Sequence, residues 1–125
     1  ATIFVTRLLR GEPLTVFGHG RQTRDFVHVD DVTRATTRAL TAAAAVGGVF
    51  NVGSGKGTTV LALATRLRDR LRPGAVWTHA PARPEETLHS VADVTRARRA
   101  LGFVPTTDLD AQLDAVIASV RERAP

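Results

Sequence analysis

The residues from Phe17 to Asp31 constrain the fold of this chain more than any others, because a glycine turn, an alternating segment and a helix start follow one another without a gap. Gly18 and Gly20 can take the positive φ that a tight turn demands. Arg24 to Val29 then alternates, with Phe26 and His28 on one face and Val27 and Val29 on the other, which predicts a short strand. Asp30 or Asp31 supplies an N-cap for Val32, Ala35, Thr36, Ala39, Leu40 and Ala43, which are spaced as one face of a helix. Arg34 falls on the polar face of that helix, where substitution is expected to do little.

The flanking segments extend the α/β pattern in both directions. Phe4, Leu8 and Leu9 before Gly11 predict the last turns of a helix closed by a left-handed glycine. Pro13 leads into an extended segment, Leu14 to Phe17. After the helix that follows Asp31, Gly47 and Gly48 end an alanine-rich run, and Val49 to Val52 has the continuous apolar character of a strand buried in a parallel sheet. Thr58 or Thr59 is placed to cap a helix carrying Val60, Leu63, Ala64, Leu67 and Leu71, and Pro73-Gly74 stops it. Ala75 to His79 predicts another short strand, and Pro81 and Pro84 hold an extended loop around Arg83. Val94, Ala97 and Leu101 mark a short helix closed by Gly102. Thr107 with Asp110 resembles a capping box for a final helix through Leu109, Leu113, Val116, Ile117 and Val120. No repeat or linker divides these segments, so residues 1–125 read as a single unit.

Composition narrows the chemistry. The chain has 125 residues, no Cys and no Tyr, which removes disulfides, thiolate chemistry and any tyrosine general base. Its net charge of +5 rests almost entirely on arginine, Lys56 being the single lysine. The arginines are spread over the predicted helices with few aromatics between them, a pattern of solvated faces and a few anion-binding side chains rather than of a nucleic-acid surface. No stretch reaches the length of a membrane span, and a cytoplasmic location is the expectation.

Two motif-like features fail on spacing. Gly53-Ser-Gly-Lys-Gly57 resembles a phosphate loop, but Phe50 and Gly57 stand where a Walker loop needs Gly and Ser or Thr. A dinucleotide fingerprint would need Gly at Thr58 and an acidic residue near Thr78 or His79. The loop is therefore expected to be a tight structural turn. The histidines His19, His28, His79 and His89 share no metal-ligand spacing, so no metal site is expected.

The stretch Pro13 to Asp31 closely resembles the segment that follows the catalytic core in the NAD-dependent epimerase/dehydratase family, the extended short-chain dehydrogenases typified by UDP-glucose 4-epimerase. That family carries a Pro-hydrophobic-hydrophobic-aromatic-Gly turn, a Gly-x-Gln-x-Arg-Asp-Phe strand and a Val-x-Asp helix start. The resemblance continues through Phe50-Asn-Val-Gly53, Arg83-Pro-Glu-Glu86, Ser90-Val-Ala-Asp93 and Arg99-Ala-Leu-Gly-Phe-Val-Pro105, in order and over nearly the whole chain. It implies an α/β fold: part of a Rossmann-type protein, namely the substrate-binding lobe with late sheet elements, the N-terminal cofactor half being absent.

The same resemblance implies a function and a set of site residues. The chain would be the nucleotide-sugar-binding, C-terminal portion of a UDP-sugar epimerase or dehydratase. NAD would belong to the complete enzyme and would not be held by this chain alone. Arg24 and Arg83 would bind the diphosphate, a task suited to guanidinium groups that stay charged and offer parallel hydrogen bonds. Phe17 would border the base. Glu86 would accept hydrogen bonds from ribose hydroxyls, although the family carries Gly before that acid where this chain has Glu85, which leaves open which of the two faces the ribose. Each residue also has a plainer reading: Phe17 as core, Arg24 as an ion-pair partner of Asp25, Arg83 as an exposed loop cation.

No catalytic residue is expected. The family's general base is the Tyr of a Tyr-x-x-x-Lys helix, and this chain has no Tyr, while Val52 stands four residues before Lys56. Alone, the chain is expected to be inactive; the rival reading is a non-enzymatic module that binds ligand or dimerises. A completing N-terminal domain or self-association through unpaired strand edges would follow from the missing sheet neighbours.

Overall fold

A computed structural model of the chain describes residues 1–106 and 108–123. The first helix, α1 (Thr2–Arg10), buries Val5 and Leu8 and ends at Gly11, whose φ of 75° lets its N–H return to the Leu8 carbonyl at 3.1 Å. A strand, β1 (Leu14–Phe17), follows, its alternating burial placing Leu14 and Val16 fully inside. It pairs in parallel with β4 (Trp77–Ala80), Leu14 opposite Trp77 and Phe17 opposite Ala80.

The second sheet is built around β2 (Thr23–Asp25), which pairs antiparallel with β3 (Gly57–Thr59) and parallel with β5 (His89–Ser90). This β2 is shorter than the alternation predicts. Phe26 to His28 stays out of the ladder, and α2 (Val29–Thr41) begins where the strand was expected to end. Its N-cap is His28 and not Asp30 or Asp31: the imidazole Nδ1 accepts from the Asp30 N–H at 3.2 Å. Asp31 instead lies fully buried, accepting from Arg34 and from the Thr106 N–H at 3.2 Å. Arg34 is therefore not an idle surface cation, since it also donates to the Val104 carbonyl at 3.2 Å and ties α2 to the segment before the last helix.

Val49 to Val52 is not a strand. A buried parallel strand needs ladder partners on both flanks, and here the segment forms no ladder: Asn51 Nδ2 reaches the Asp93 carbonyl at 3.4 Å, while Phe50 and Val52 pack against Ala35, Ala97, Leu101 and Phe103. The glycine loop after it leads into β3, so the expected strand-to-helix turn is a loop followed by a strand. Next, α3 (Val60–Leu71) is capped by the Thr59 hydroxyl, which accepts from the Ala62 N–H at 3.1 Å. A short helix, α4 (Thr95–Leu101), ends at Gly102 in the left-handed conformation. The last, α5 (Leu109–Arg123), is started by Asp108, whose carboxylate accepts from the Ala111 N–H at 2.9 Å; the Thr107 capping box lies outside the described residues.

Two apolar clusters hold these elements. The larger joins α1, β1, α3 and α5 through Val5, Leu8, Leu14, Leu63, Leu67 and Leu113. The smaller joins α2 and α4 through Ala35, Ala97, Leu101 and Phe103. A buried Leu in such a cluster contributes on the order of 2 to 3 kcal/mol. Outside both clusters Val29, Leu40, Val46 and Val49 are exposed, Val46 at 88%. Among the described residues no helix is long and apolar enough to cross a membrane.

Candidate nucleotide-binding cleft

The cleft forms where β1 and β2 meet the loop between β4 and β5. Phe17 ends β1, and the chain turns at Gly18 and Gly20. At Gly20, φ is 69° and an added Cβ would stand 2.8 Å from Val16 Cγ1, so both backbone angle and space demand glycine. The turn delivers Gln22 and Arg24 two residues apart on an extended backbone, hence on one face, aimed at the 83–88 loop. That loop is anchored by the Thr23 N–H donating to the Leu88 carbonyl at 2.8 Å.

Arg24 meets Glu86 there. Its Nη2 lies 3.2 Å from Glu86 Oε1, while Nη1 donates to the Thr23 and Thr87 carbonyls at 2.8 and 2.7 Å. Three of the five guanidinium N–H groups are thus engaged, two of them joining β2 to the loop. Gln22 takes the other carboxylate oxygen, with Nε2 3.4 Å from Glu86 Oε2 and 3.0 Å from the Phe17 carbonyl. Arg83 stacks on the Phe17 ring, its guanidinium carbon 4.0 Å from the ring centre. Phe17, Arg24, Arg83 and Glu86 all line one cavity of about 550 Å³, whose apolar wall comes from Phe4, Phe26 and Leu63.

Of the two glutamates, Glu86 lines the cavity. Glu85 has φ 63°, in the left-handed region where residues other than glycine are strained. That kink turns Glu86 inward toward Gln22 and Arg24, while Glu85 stays exposed.

Asp25, next to Arg24, faces the other way, as successive strand residues must. Its carboxylate collects the N–H groups of Ser54, Gly55 and Ala92 at 2.8, 2.9 and 3.2 Å, and the Ser54 hydroxyl. Burial pushes this carboxyl up, but those hydrogen bonds outweigh it and hold the pKa below the ordinary carboxylate value. The Arg24–Asp25 ion pair that the sequence allows is therefore not formed. The same contacts bear on a dinucleotide. The amides of the glycine loop, the groups that would cradle a phosphate, already surround the chain's own carboxylate, so this loop does not fit the NAD pyrophosphate.

A larger hollow, about 700 Å³, is bordered by Lys56, Arg66 and Asp110 and by none of the four candidate residues. Arg66 and Asp110 already neutralise each other at 3.1 Å. The smaller cavity is the better candidate because Phe17, Arg24, Arg83 and Glu86 all line it. Reading the sequence for site residues passed over Gln22 and Arg7, both of which line it. Gln22 carried a signal in its two-residue offset from Arg24; Arg7, on α1, carried none.

Comparison with known proteins agrees with the motif pattern. Residues 1–53 match the model of the NAD dependent epimerase/dehydratase family. Over 120 residues, 96% of this chain and 26% of the relative, the sequence is 32% identical to UDP-glucuronic acid decarboxylase 2 of Arabidopsis thaliana. The solved structure of UDP-glucose 4-epimerase with UDP-glucose from Thermotoga maritima is 35% identical, with a TM-score of 0.88 over 97% of this chain and 38% of that one. UDP-glucuronic acid 4-epimerase from Bacillus cereus, in complex with UDP-glucuronic acid and NAD, is 30% identical with a TM-score of 0.89, over 97% and 39%. The chain thus spans between 26% and 39% of the length of these relatives. The α/β architecture, the ordered motifs around Arg24 and Arg83 and these matches together support the NAD-dependent epimerase/dehydratase family for this chain.

Proposed function

We propose that residues 1–125 are the C-terminal, nucleotide-sugar-binding region of an NAD-dependent sugar epimerase or dehydratase of the UDP-glucose 4-epimerase type, and that the ligand is a UDP-sugar. The observation that carries this reading is the convergence of Phe17, Arg24, Arg83 and Glu86 on one cavity from β1, β2 and the 83–88 loop. In this reading Phe17 borders the base and Glu86 accepts from the ribose hydroxyls. Arg83 turns its fork from the Phe17 ring to the diphosphate, and Arg24 adds the N–H groups its loop contacts leave over. Relatives bind UDP-glucose and UDP-glucuronic acid at comparable folds, which supports the ligand class.

The chain's contribution ends at binding and orientation. In the complete enzyme NAD supplies the hydride acceptor, from a domain this chain does not contain. With no Tyr to take a proton from the sugar hydroxyl, the isolated chain has no general base of the family's type. Titration calorimetry with UDP tests the binding: Arg83→Ala should weaken it at least about tenfold, the loss of a charge-assisted contact. Equal affinity in wild type and variant sinks the assignment. An assay of UDP-glucose with NAD should show no turnover by the homogeneous chain.

A second association follows from the exposed side chains of Val29, Leu40, Val46 and Val49, which favour contact with another copy or with a completing cofactor domain.

A further inference from the structure

A carboxylate that reads a ribose must be held still, because a side chain with free torsions gives back in entropy what a hydrogen bond contributes. Glu86 is held at both oxygens by one strand face. Arg24 donates to Oε1 at 3.2 Å and Gln22 to Oε2 at 3.4 Å. The orientation of the Gln22 amide follows from its partners: the Phe17 carbonyl and the Glu86 carboxylate only accept, so Nε2 and not Oε1 must face them. Gln22 is 7% exposed, and its backbone is fixed too, the carbonyl accepting from the Val60 N–H at 3.0 Å. One buried amide therefore spans from the main chain of the residue at the base wall to the carboxylate at the ribose, setting the distance between them.

We infer that Gln22 is a positioning residue for nucleoside recognition: by bridging the Phe17 carbonyl and Glu86 it holds the carboxylate where it can accept from both ribose hydroxyls. The inference rests on the proposed UDP-sugar reading and deepens it. Arg24 alone would leave Glu86 free to pivot about a single bonded oxygen. With Gln22 present both oxygens are pinned, and each keeps lone-pair capacity for a hydroxyl.

The readout is the ratio of affinities for UDP and 2′,3′-dideoxy-UDP, measured by calorimetry on the chain. A merely structural role for Gln22 would weaken both ligands alike and leave that ratio unmoved. Wild type should prefer UDP roughly tenfold or more, the magnitude of hydrogen bonds to a charged group. Gln22→Leu and Gln22→Glu should each bring the preference down to about twofold or less, with binding of the dideoxy ligand little changed. In a Glu86→Gln background, Gln22→Leu should leave the ratio where it was, as coupled partners require. A wild-type preference that survives Gln22→Leu overturns the positioning role while leaving the ribose contact intact. A wild type that binds both ligands equally, or binds no UDP, overturns the underlying reading and the positioning role with it.

Discussion

Arg24 and Glu86, 62 residues apart in sequence, meet at 3.2 Å and fasten the middle strand of the three-stranded sheet to the loop that carries Arg83. Both side chains are partly exposed, at 31% and 23%, so the pair itself contributes no more than about 1 kcal/mol. Its weight lies in where it puts two charged groups beside one cavity.

Arg24→Ala is expected to lower UDP affinity at least about tenfold, through lost N–H donors and a loosened loop, while costing about 1 kcal/mol of stability. Asp25→Ala should not mimic it. That substitution removes the acceptor shared by Ser54, Gly55 and Ala92 and should cost about 2 kcal/mol or more. Thermal melts beside UDP titrations separate the two; Arg121→Ala, on the exposed end of α5, is the control. Arg34 does not serve as one, since it is bonded to buried Asp31.

The depressed pKa of Asp25 fixes the sign of an acid dependence. Native Asp25 binds its proton less readily than the unfolded chain does, so its contribution is fully present above the unfolded carboxyl value of about 3.9 and disappears as pH falls through the lower native value. Urea midpoints measured between pH 6 and pH 2.5 should fall more steeply for wild type than for Asp25→Asn. Parallel curves for the two proteins would show that Asp25 carries no such linkage.

Glu85 sits at φ 63°, a conformation that costs an L-residue roughly 1 kcal/mol or more. Glu85→Gly should leave the melting temperature unchanged or raise it, the relieved strain being set against the greater freedom of glycine in the unfolded chain. Glu85→Val, β-branched and more strained there, should lower stability by about 1 to 2 kcal/mol. A valine as well tolerated as glycine would remove the strained turn from the account of how Glu86 is aimed.

The exposed Val46 and Val49 lead to a prediction about assembly. At tens of micromolar the chain is expected to sediment as a dimer or larger species, and Val46→Asp with Val49→Asp should shift it toward monomer. A wild type that is monomeric throughout that range counts against self-association through this face.

Much of the fold was legible because it is local. Gly11, Thr59 and Gly102 cap helices through contacts spanning a few residues, and the apolar spacing of α3 and α5 needs no knowledge of the partner. The motifs around Arg24 and Arg83 were enough to indicate the family and the four candidate residues. Misreadings fell where a distant partner decides. Val49 to Val52 has strand composition but finds no ladder, and β2 ends at Asp25 because β5 already stops opposite Arg24 and β3 stops opposite Asp25.

The sequence by itself thus determined the helices, the caps at Gly11, Thr59 and Gly102, the α/β class and the charged groups available to a ligand, since propensity and periodicity act over a turn or two of chain. Only the tertiary structure decided that Arg24 pairs with Glu86 rather than Asp25, that Glu86 rather than Glu85 faces the cleft, and that Gln22 reaches Glu86 across 64 residues. Those outcomes depend on which loop closes over which strand face, and closure is settled by the packing of α1, α3 and α5 behind the sheets, a balance over the whole chain that no short stretch encodes.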